Sequence, residues 1–288
     1  MAPGPLPYTL LDVFTDTPLE GNGLAVVHDA DELDDETMLR FARETRLSET
    51  TFVQSTGEAG ADYRNRIWTM SGEVPFAGHP SLGTAVAVAR QRGEHKARYV
   101  QQTQTGLQPI EVRRQGSRAS ASMIQPPASF GDEIDPVAAL AAVRLGAENA
   151  DAHLVPQVVS TGLPTLIVPV ARGEAVAQAV PDFDAIDALL DPLSTHNFYL
   201  SWADPTAGRA HARMFTRLAY EGEDPATGSA AGPLCAYLAA RTGCRHLEIT
   251  QGVEMGRPSR LQAEMDRQGI RVGGDVVLLI EGTLTLAV

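Results

Sequence analysis

Pro80-Ser81-Leu82-Gly83-Thr84-Ala85 and Pro225-Ala226-Thr227-Gly228-Ser229-Ala230 read as two copies of one element, P-x-x-G-[ST]-A, 145 residues apart (225 less 80) in a chain of 288. A second pair lies just upstream of each copy. Arg66-Ile67-Trp68-Thr69 matches Arg213-Met214-Phe215-Thr216 as R-x-aromatic-T at an offset of 147 (213 less 66). A weaker third match sets Gly21-Asn22-Gly23-Leu24-Ala25-Val26-Val27 beside Gly162-Leu163-Pro164-Thr165-Leu166-Ile167-Val168, offset 141 (162 less 21). The elements fall in the same order in both halves, which is the signature of a duplicated fold.

Each half reads as short strands around one buried helix. Tyr8 to Phe14, Leu24 to His28, Thr51 to Gln54 and Tyr63 to Trp68 carry β-branched, aromatic or alternating residues between Gly, Pro, Asp and Ser, and are expected to be strands. In Asp35 to Arg46, Met38, Leu39, Ala42 and Thr45 recur at three-to-four spacing behind Asp34 or Asp35 as a cap, so an outer amphipathic helix is expected. Ser81 to Gln91 and Ala226 to Arg241 are small and apolar on nearly every side, as a helix enclosed by a curved sheet would be. The expected class is α+β, with two pseudo-symmetric domains, each a β-barrel-like sheet around a central helix. Polar Gln115 to Ser120 suggests a link between halves, and Val276 to Val288 a late strand pair around Glu281-Gly282 that could return to the first half. The domains are therefore placed at 1–118 with about 278–288, and at 119–277.

A net charge of −13 argues against nucleic acid, which needs clustered Lys and Arg. No apolar run reaches the roughly 18 to 20 residues of a membrane span, and Met1 to Pro7 lacks a basic start and an apolar stretch, so a cytoplasmic protein with no membrane partner is expected. Cys235 and Cys244 are too few for a disulfide framework and read as small buried hydrophobes. The seven histidines show no metal-ligand spacing, and no metal is expected.

The duplicated turn puts Gly, Ser and Thr at the start of a buried helix, where unpaired backbone N–H groups and the positive dipole end attract an anion. Two such ends facing one another could grip a carboxylate without Lys or Arg. The plain alternative is that Ser81, Thr227 and Ser229 only cap their helices. His79 precedes Pro80 and Asp224 precedes Pro225, so the repeat makes them pseudo-equivalent, a His and an Asp able to carry or orient a proton. A capping or core role for either is the competing reading. Glu49, in Leu47-Ser48-Glu49-Thr50-Thr51-Phe52, stands between the outer helix and a strand. Desolvation there would raise its pKa and suit it to general acid/base work; spacing alone also allows a surface glutamate.

At these residues the chain resembles the PhzF family, which shares its fold with diaminopimelate epimerase and proline racemase. The resemblance spans essentially the whole length. It rests on Leu47 to Val53, on Glu73-Val74-Pro75-Phe76-Ala77-Gly78-His79-Pro80 with the turn that follows, and on Glu223 to Leu234. Ala121 to Pro126 and Gln251 to Ser259 are further similar stretches. It implies an isomerase needing no cofactor, a site in the cleft between two domains, and usually a homodimer. It also implies Glu49 as the proton carrier, moving a proton between carbons of a small cyclic carboxylate, trans-2,3-dihydro-3-hydroxyanthranilate of phenazine biosynthesis. His79 and Asp224 would join Glu49 in catalysis, with Gly78, Thr227, Gly228 and Ser229 binding the substrate. The racemases of this fold use two opposed cysteines; here the corresponding turns carry none, which disfavours two-thiol chemistry. Gly23 departs from a proline common in the family after Gly-Asn. Two other readings stay open: another secondary-metabolite acid as substrate, or a cleft that binds a ligand or partner and catalyses nothing.

Overall fold

The computed structural model describes residues 4–219 and 222–286. The expectations that touch Met1 to Pro3 and the last two positions, Ala287 and Val288, lie outside the described residues. The chain divides into two compact units, one running to Met123 and resuming at Gly273, the other from Ile124 to Val272.

In the first unit the chain runs β1 (Leu6–Val13), β2 (Asn22–Val27), α1 (Asp35–Thr45), β3 (Glu49–Gln54), β4 (Tyr63–Trp68), β5 (Glu73–Val74), α2 (Gly78–Gln91), β6 (Lys96–Thr103), β7 (Gly106–Gln115) and β8 (Arg118–Gln125). The second unit continues with β9 (Ser129–Glu133), α3 (Pro136–Ala141), β10 (Gln157–Ser160), β11 (Pro164–Pro169), α4 (Gly173–Gln178), α5 (Phe183–Leu190), β12 (Phe198–Asp204) and β13 (Arg209–Phe215). It ends with β14 (Glu223–Asp224), α6 (Gly228–Thr242), β15 (His246–Gln251) and β16 (Ser259–Met265), after which β17 (Ile270–Leu284) takes the chain back to the first unit.

Pairings in the first unit run β1–β2–β3–β4–β6–β7–β8–β17 and return from β17 to β1, a closed barrel of eight strands. Closure leaves no free edge among them. Two neighbouring pairs, β2–β3 and β4–β6, are parallel, and each parallel step needs a crossover. The first crossover, α1, is capped by Asp34, which accepts from the Thr37 N–H, and it stops at Arg46 in the left-handed region. Its Met38 and Ala42 pack with Leu6, Val27, Phe52 and Trp68 outside the barrel wall. The second crossover, α2, goes through the interior, touching β1, β2, β3, β4, β6 and β7. Twelve of its 14 residues are buried, and their small side chains let the strands close round it. A Cβ on Gly83 would fall 2.5 Å from the Leu24 side chain.

The second unit repeats this order. β11–β12 and β13–β15 are its parallel pairs; α4 and α5 make the first crossover, packing Val176 and Ile186 against Leu166, Val168 and Phe198. α6 makes the other, touching β10, β11, β15 and β16. The expected α+β architecture, two alike halves with a central helix in each, is the one the chain adopts.

Each half also carries its own largely buried ion pair, at equivalent positions. Arg66 donates to both oxygens of Glu73 and lies over Trp68; Arg213 does the same with Glu223, at 2.8 Å for both bonds, over Phe215. Arg213 also donates to the carbonyls of Val176 and Ala179. Truncating one partner of a buried pair strands the other charge, so Arg213→Met is expected to lower stability by about 3–5 kcal/mol in urea unfolding. Adding Glu223→Leu to it should recover part of that loss.

Four expectations need correction. Gln115 to Ser120 is no link between units: Gln115 pairs with Arg118 across a turn at Gly116 (φ 64°), making a hairpin of β7 and β8 inside the first unit. The chain leaves that unit after Met123, within β8, and returns at Gly273, within β17, rather than at 118 and 278. The tail is one strand, not a pair. Glu281 and Gly282 continue the ladder opposite Thr9 and Tyr8, with the irregularity taken up between Leu10 and Leu11, and Arg90 holds the Glu281 carboxylate.

The fourth correction bears on the site. Glu73-Val74 and Glu223-Asp224 occupy the same place, Glu73 opposite Trp68 and Glu223 opposite Phe215, and the inner helices begin at Gly78 and Gly228. The register there is 150 residues (228 less 78), not 145. The turn closed by Thr69 and Gly72 is three residues shorter than the one closed by Thr216 and Gly222, which accounts for the step from 147. His79 is therefore equivalent to Ser229, and Asp224 to Val74. The P-x-x-G-[ST]-A match aligned a proline inside one helix with a proline before the other, because both segments are built from the same small residues.

Candidate functional site

The first unit's candidate groups meet where β2, β3 and α2 begin. Glu49 opens β3, directly after the left-handed Arg46 and two further residues turn the chain out of α1. Gly78 and His79 are the first two residues of α2, whose N-cap, Ala77, has no side chain that can cap. Their N–H groups have no partner within the helix. Pro80 is tolerated as the third helical residue for the same reason, since an N–H there would have no intrahelical acceptor. Ser81 does not cap the helix either; its hydroxyl donates to the Ala77 carbonyl.

His79 is 4% exposed and Glu49 lies against it, with Nε2 and Oε2 3.3 Å apart. Burial pushes the imidazole pKa down to about 3, so the ring is neutral near pH 7. The Asn22 amide nitrogen lies 3.2 Å from Nδ1. An amide nitrogen only donates, so Nδ1 is the acceptor and the ring proton sits on Nε2, facing the Glu49 carboxylate. Asn22 is itself buried, at the start of β2. The arrangement presents a mostly buried carboxylate, one oxygen 3.3 Å from the Nε2 of a neutral imidazole, beside the uncapped start of a helix.

In the second unit Asp224 ends β14 and Thr227 is the N-cap of α6, with Gly228 and Ser229 its first two residues. The Thr227 hydroxyl does not cap; it donates to Asp224 Oδ2 at 2.6 Å. Gln251, at the end of β15, binds the Asp224 carbonyl and both the N–H and hydroxyl of Thr227. Gln125 donates to the Gly228 carbonyl and accepts from Thr161. Asp224, Thr227 and Ser229 keep partial exposure while Gly228 is buried. Thus Glu49, Gly78 and His79 are gathered in one unit, and Asp224, Thr227, Gly228 and Ser229 in the other.

Asn22, Gln125 and Gln251 were not among the expected site residues. The sequence does carry a signal for Gln251: in His246-Leu247-Glu248-Ile249-Thr250-Gln251 it falls in phase with inward Leu247 and Ile249, a polar residue at a buried position. Cys235 lies in the interior of α6, fully buried, with burial pushing its thiol up to about 12. Among the described residues no group of three or more His, Cys, Asp or Glu could hold a metal ion, and no helix is long and apolar enough to cross a membrane.

A family model described as PhzC-PhzF, phenazine biosynthesis-like protein, matches residues 11–282. The chain belongs to this family. Among PhzC-PhzF relatives, a trans-2,3-dihydro-3-hydroxyanthranilate isomerase of Pseudomonas chlororaphis is 36% identical over 291 residues, covering 97% of this chain and 99% of the relative. A solved structure described as a "predicted epimerase" from Pseudomonas aeruginosa superposes with a TM-score of 0.86 at 37% identity, over 98% of this chain and all of the other. A hydroxyproline epimerase from Agrobacterium vitis shares the fold, with a TM-score of 0.66 at 12% identity over 99% of this chain and 94% of its own. The chain is an isomerase of the PhzF type.

Proposed function

We propose that the protein isomerises trans-2,3-dihydro-3-hydroxyanthranilate by general acid/base catalysis without a cofactor, Glu49 carrying the proton. The observation that carries this reading is the 3.3 Å contact between the Glu49 carboxylate and the neutral N–H of buried His79. As a carboxylate, Glu49 takes a proton from one ring carbon. As the resulting acid, it returns that proton to another carbon of the same ring, and the dienol so formed goes over to the amino-ketone. His79 keeps Oε2 of Glu49 beside a neutral ring, and conjugation in the substrate spreads the charge in between. Asp224 and the start of α6, Thr227, Gly228 and Ser229, bind and orient the substrate's polar groups, the helix start favouring its carboxylate. Relatives with 36–38% identity bear the name of this activity. The inert setting of Cys235 speaks against a thiol as acid or base.

Turnover in heavy water tests the reading. The wild-type protein should convert the dihydro compound, with deuterium at the newly protonated carbon wherever the carried proton exchanges with solvent before delivery. A protein that binds 3-hydroxyanthranilate but leaves the dihydro compound unchanged would be a binding protein, and the proposed reaction would be wrong.

A further inference from the structure

We propose that Gln251 is a positioning residue that sets the Asp224-to-Gly228 turn in the geometry substrate binding requires; this rests on the reading of that turn as a substrate-binding element.

Gln251 is completely buried. Its carboxamide has two donor hydrogens and two acceptor lone pairs, and all four are used. Oε1 accepts from the Tyr199 hydroxyl at 2.9 Å and from the Thr227 N–H at 3.3 Å. Nε2 donates to the Asp224 carbonyl at 2.8 Å and to the Thr227 hydroxyl oxygen at 3.0 Å. The last bond settles the direction of the next. Because Thr227 Oγ1 accepts from Gln251, its own proton goes to Asp224 Oδ2 at 2.6 Å. One chain of donors therefore runs from Gln251 through Thr227 to the Asp224 side chain, with Tyr199 fixing the carboxamide that starts it.

The local sequence gives α6 no means to do this for itself. In a capping box, the residue three places into the helix reaches back to the N-cap N–H. Here that position is Ala230, and the N-cap hydroxyl is turned away toward Asp224. Gln251 supplies the missing acceptor from another strand. β15 lies beside β13, and β13 pairs with β14, so Gln251 spans from one strand to the turn beyond its neighbour's partner. The next residue makes the contact rigid. Gly252 has φ 76°, and a Cβ on it would sit 2.6 Å from the Pro225 carbonyl oxygen and 2.4 Å from that of Arg257. Backbone meets backbone there, with no side chain between to yield.

The experiment compares wild type, Gln251→Glu, Gln251→Leu, Tyr199→Phe and Asp224→Asn, reading calorimetric binding of 3-hydroxyanthranilate, kcat and KM for the dihydro compound, and melting temperature. Gln251→Glu keeps the shape but replaces the donor facing Asp224 and Thr227 by an acceptor. It is expected to raise Kd and KM by about ten- to a hundredfold, the scale for losing a hydrogen bond to a charged group in the binding element. Its kcat should fall less than KM rises. Tyr199→Phe leaves Gln251 in place and is expected to stay folded with a smaller rise in KM, keeping the test informative if a Gln251 variant fails to fold. Wild-type Kd and KM in a folded Gln251→Glu or Gln251→Leu, while Asp224→Asn loses binding, would overturn the positioning role and leave the functional reading standing. So would a fall in melting temperature at unchanged Kd and KM. A wild type that neither binds nor converts these compounds would sink the functional reading, and this inference with it.

Discussion

Glu49→Gln is expected to lower turnover of trans-2,3-dihydro-3-hydroxyanthranilate by about 10² to 10⁴, the usual contribution of a positioned general acid/base, with little change in melting temperature. Both halves of this expectation follow from one contact. His79 Nε2 lies 3.3 Å from the Glu49 carboxylate, and a glutamine at position 49 keeps the same shape with an oxygen or nitrogen in that place, so the packing around the buried imidazole is retained. The amide cannot take a proton from carbon and give it back. Binding of 3-hydroxyanthranilate should therefore stay within a few-fold of wild type while kcat collapses, the pattern of an interaction that matters only in the transition state. Glu49→Asp separates loss of the acid from loss of its place. It keeps the carboxyl but draws it back by one methylene, away from a histidine already 3.3 Å distant, and should fall between wild type and Glu49→Gln. Steady-state kinetics beside calorimetry and thermal melts make the measurement. Near-normal kcat in a folded Glu49→Gln would show that the proton travels another way.

Much of the architecture that carries the candidate groups is legible in the chain, and the departures from it have physical causes. Helix-like runs of Gly, Ala, Ser, Thr and Val announce α2 and α6, because only small residues can be buried on all sides inside a narrow barrel. The same uniformity makes their register ambiguous. Pro80 suggests a helix boundary, yet the helix begins two residues earlier, since its first-turn positions need no N–H. That error paired His79 with Asp224, where the structure pairs it with Ser229. The Arg66–Glu73 and Arg213–Glu223 bridges hold the correct alignment, but an ion pair across a turn of variable length leaves no fixed spacing to read. β17 departs from its local pattern for the opposite reason: Glu281-Gly282 looks like a turn, and pairing with β1 together with the Arg90 contact keeps it extended. Asn22, Gln125 and Gln251 are polar residues at buried positions. Alternation can expose such residues as anomalies, but what each one holds depends on strands far away in sequence.

Acid is expected to destabilise the protein through His79 in a window set by that residue alone. In the unfolded chain its pKa is the ordinary 6.5, while in the folded protein burial holds it at about 3. Above pH 6.5 neither state binds the proton and His79 contributes no pH dependence. Between pH 6.5 and about 3 the unfolded chain binds a proton that the native state refuses, so stability falls as pH falls, by up to about 1.4 kcal/mol per unit. Below pH 3 the native imidazole must charge as well and the slope ends. Across the window the cost is about 4 to 5 kcal/mol, a large share of the total for an ordinary domain. His79→Gln removes the titrating group while keeping an amide N–H for Glu49. Urea unfolding of both proteins at pH 7.5 and 4.5 isolates the contribution, because every other group titrates in both. The wild type should lose about 3 kcal/mol more than the variant between those two pH values. Parallel losses would mean that His79 is charged in the native state near pH 5, and a charged imidazole 3.3 Å from Glu49 would hold that carboxylate as an ion pair instead of leaving it basic enough to draw a proton from carbon.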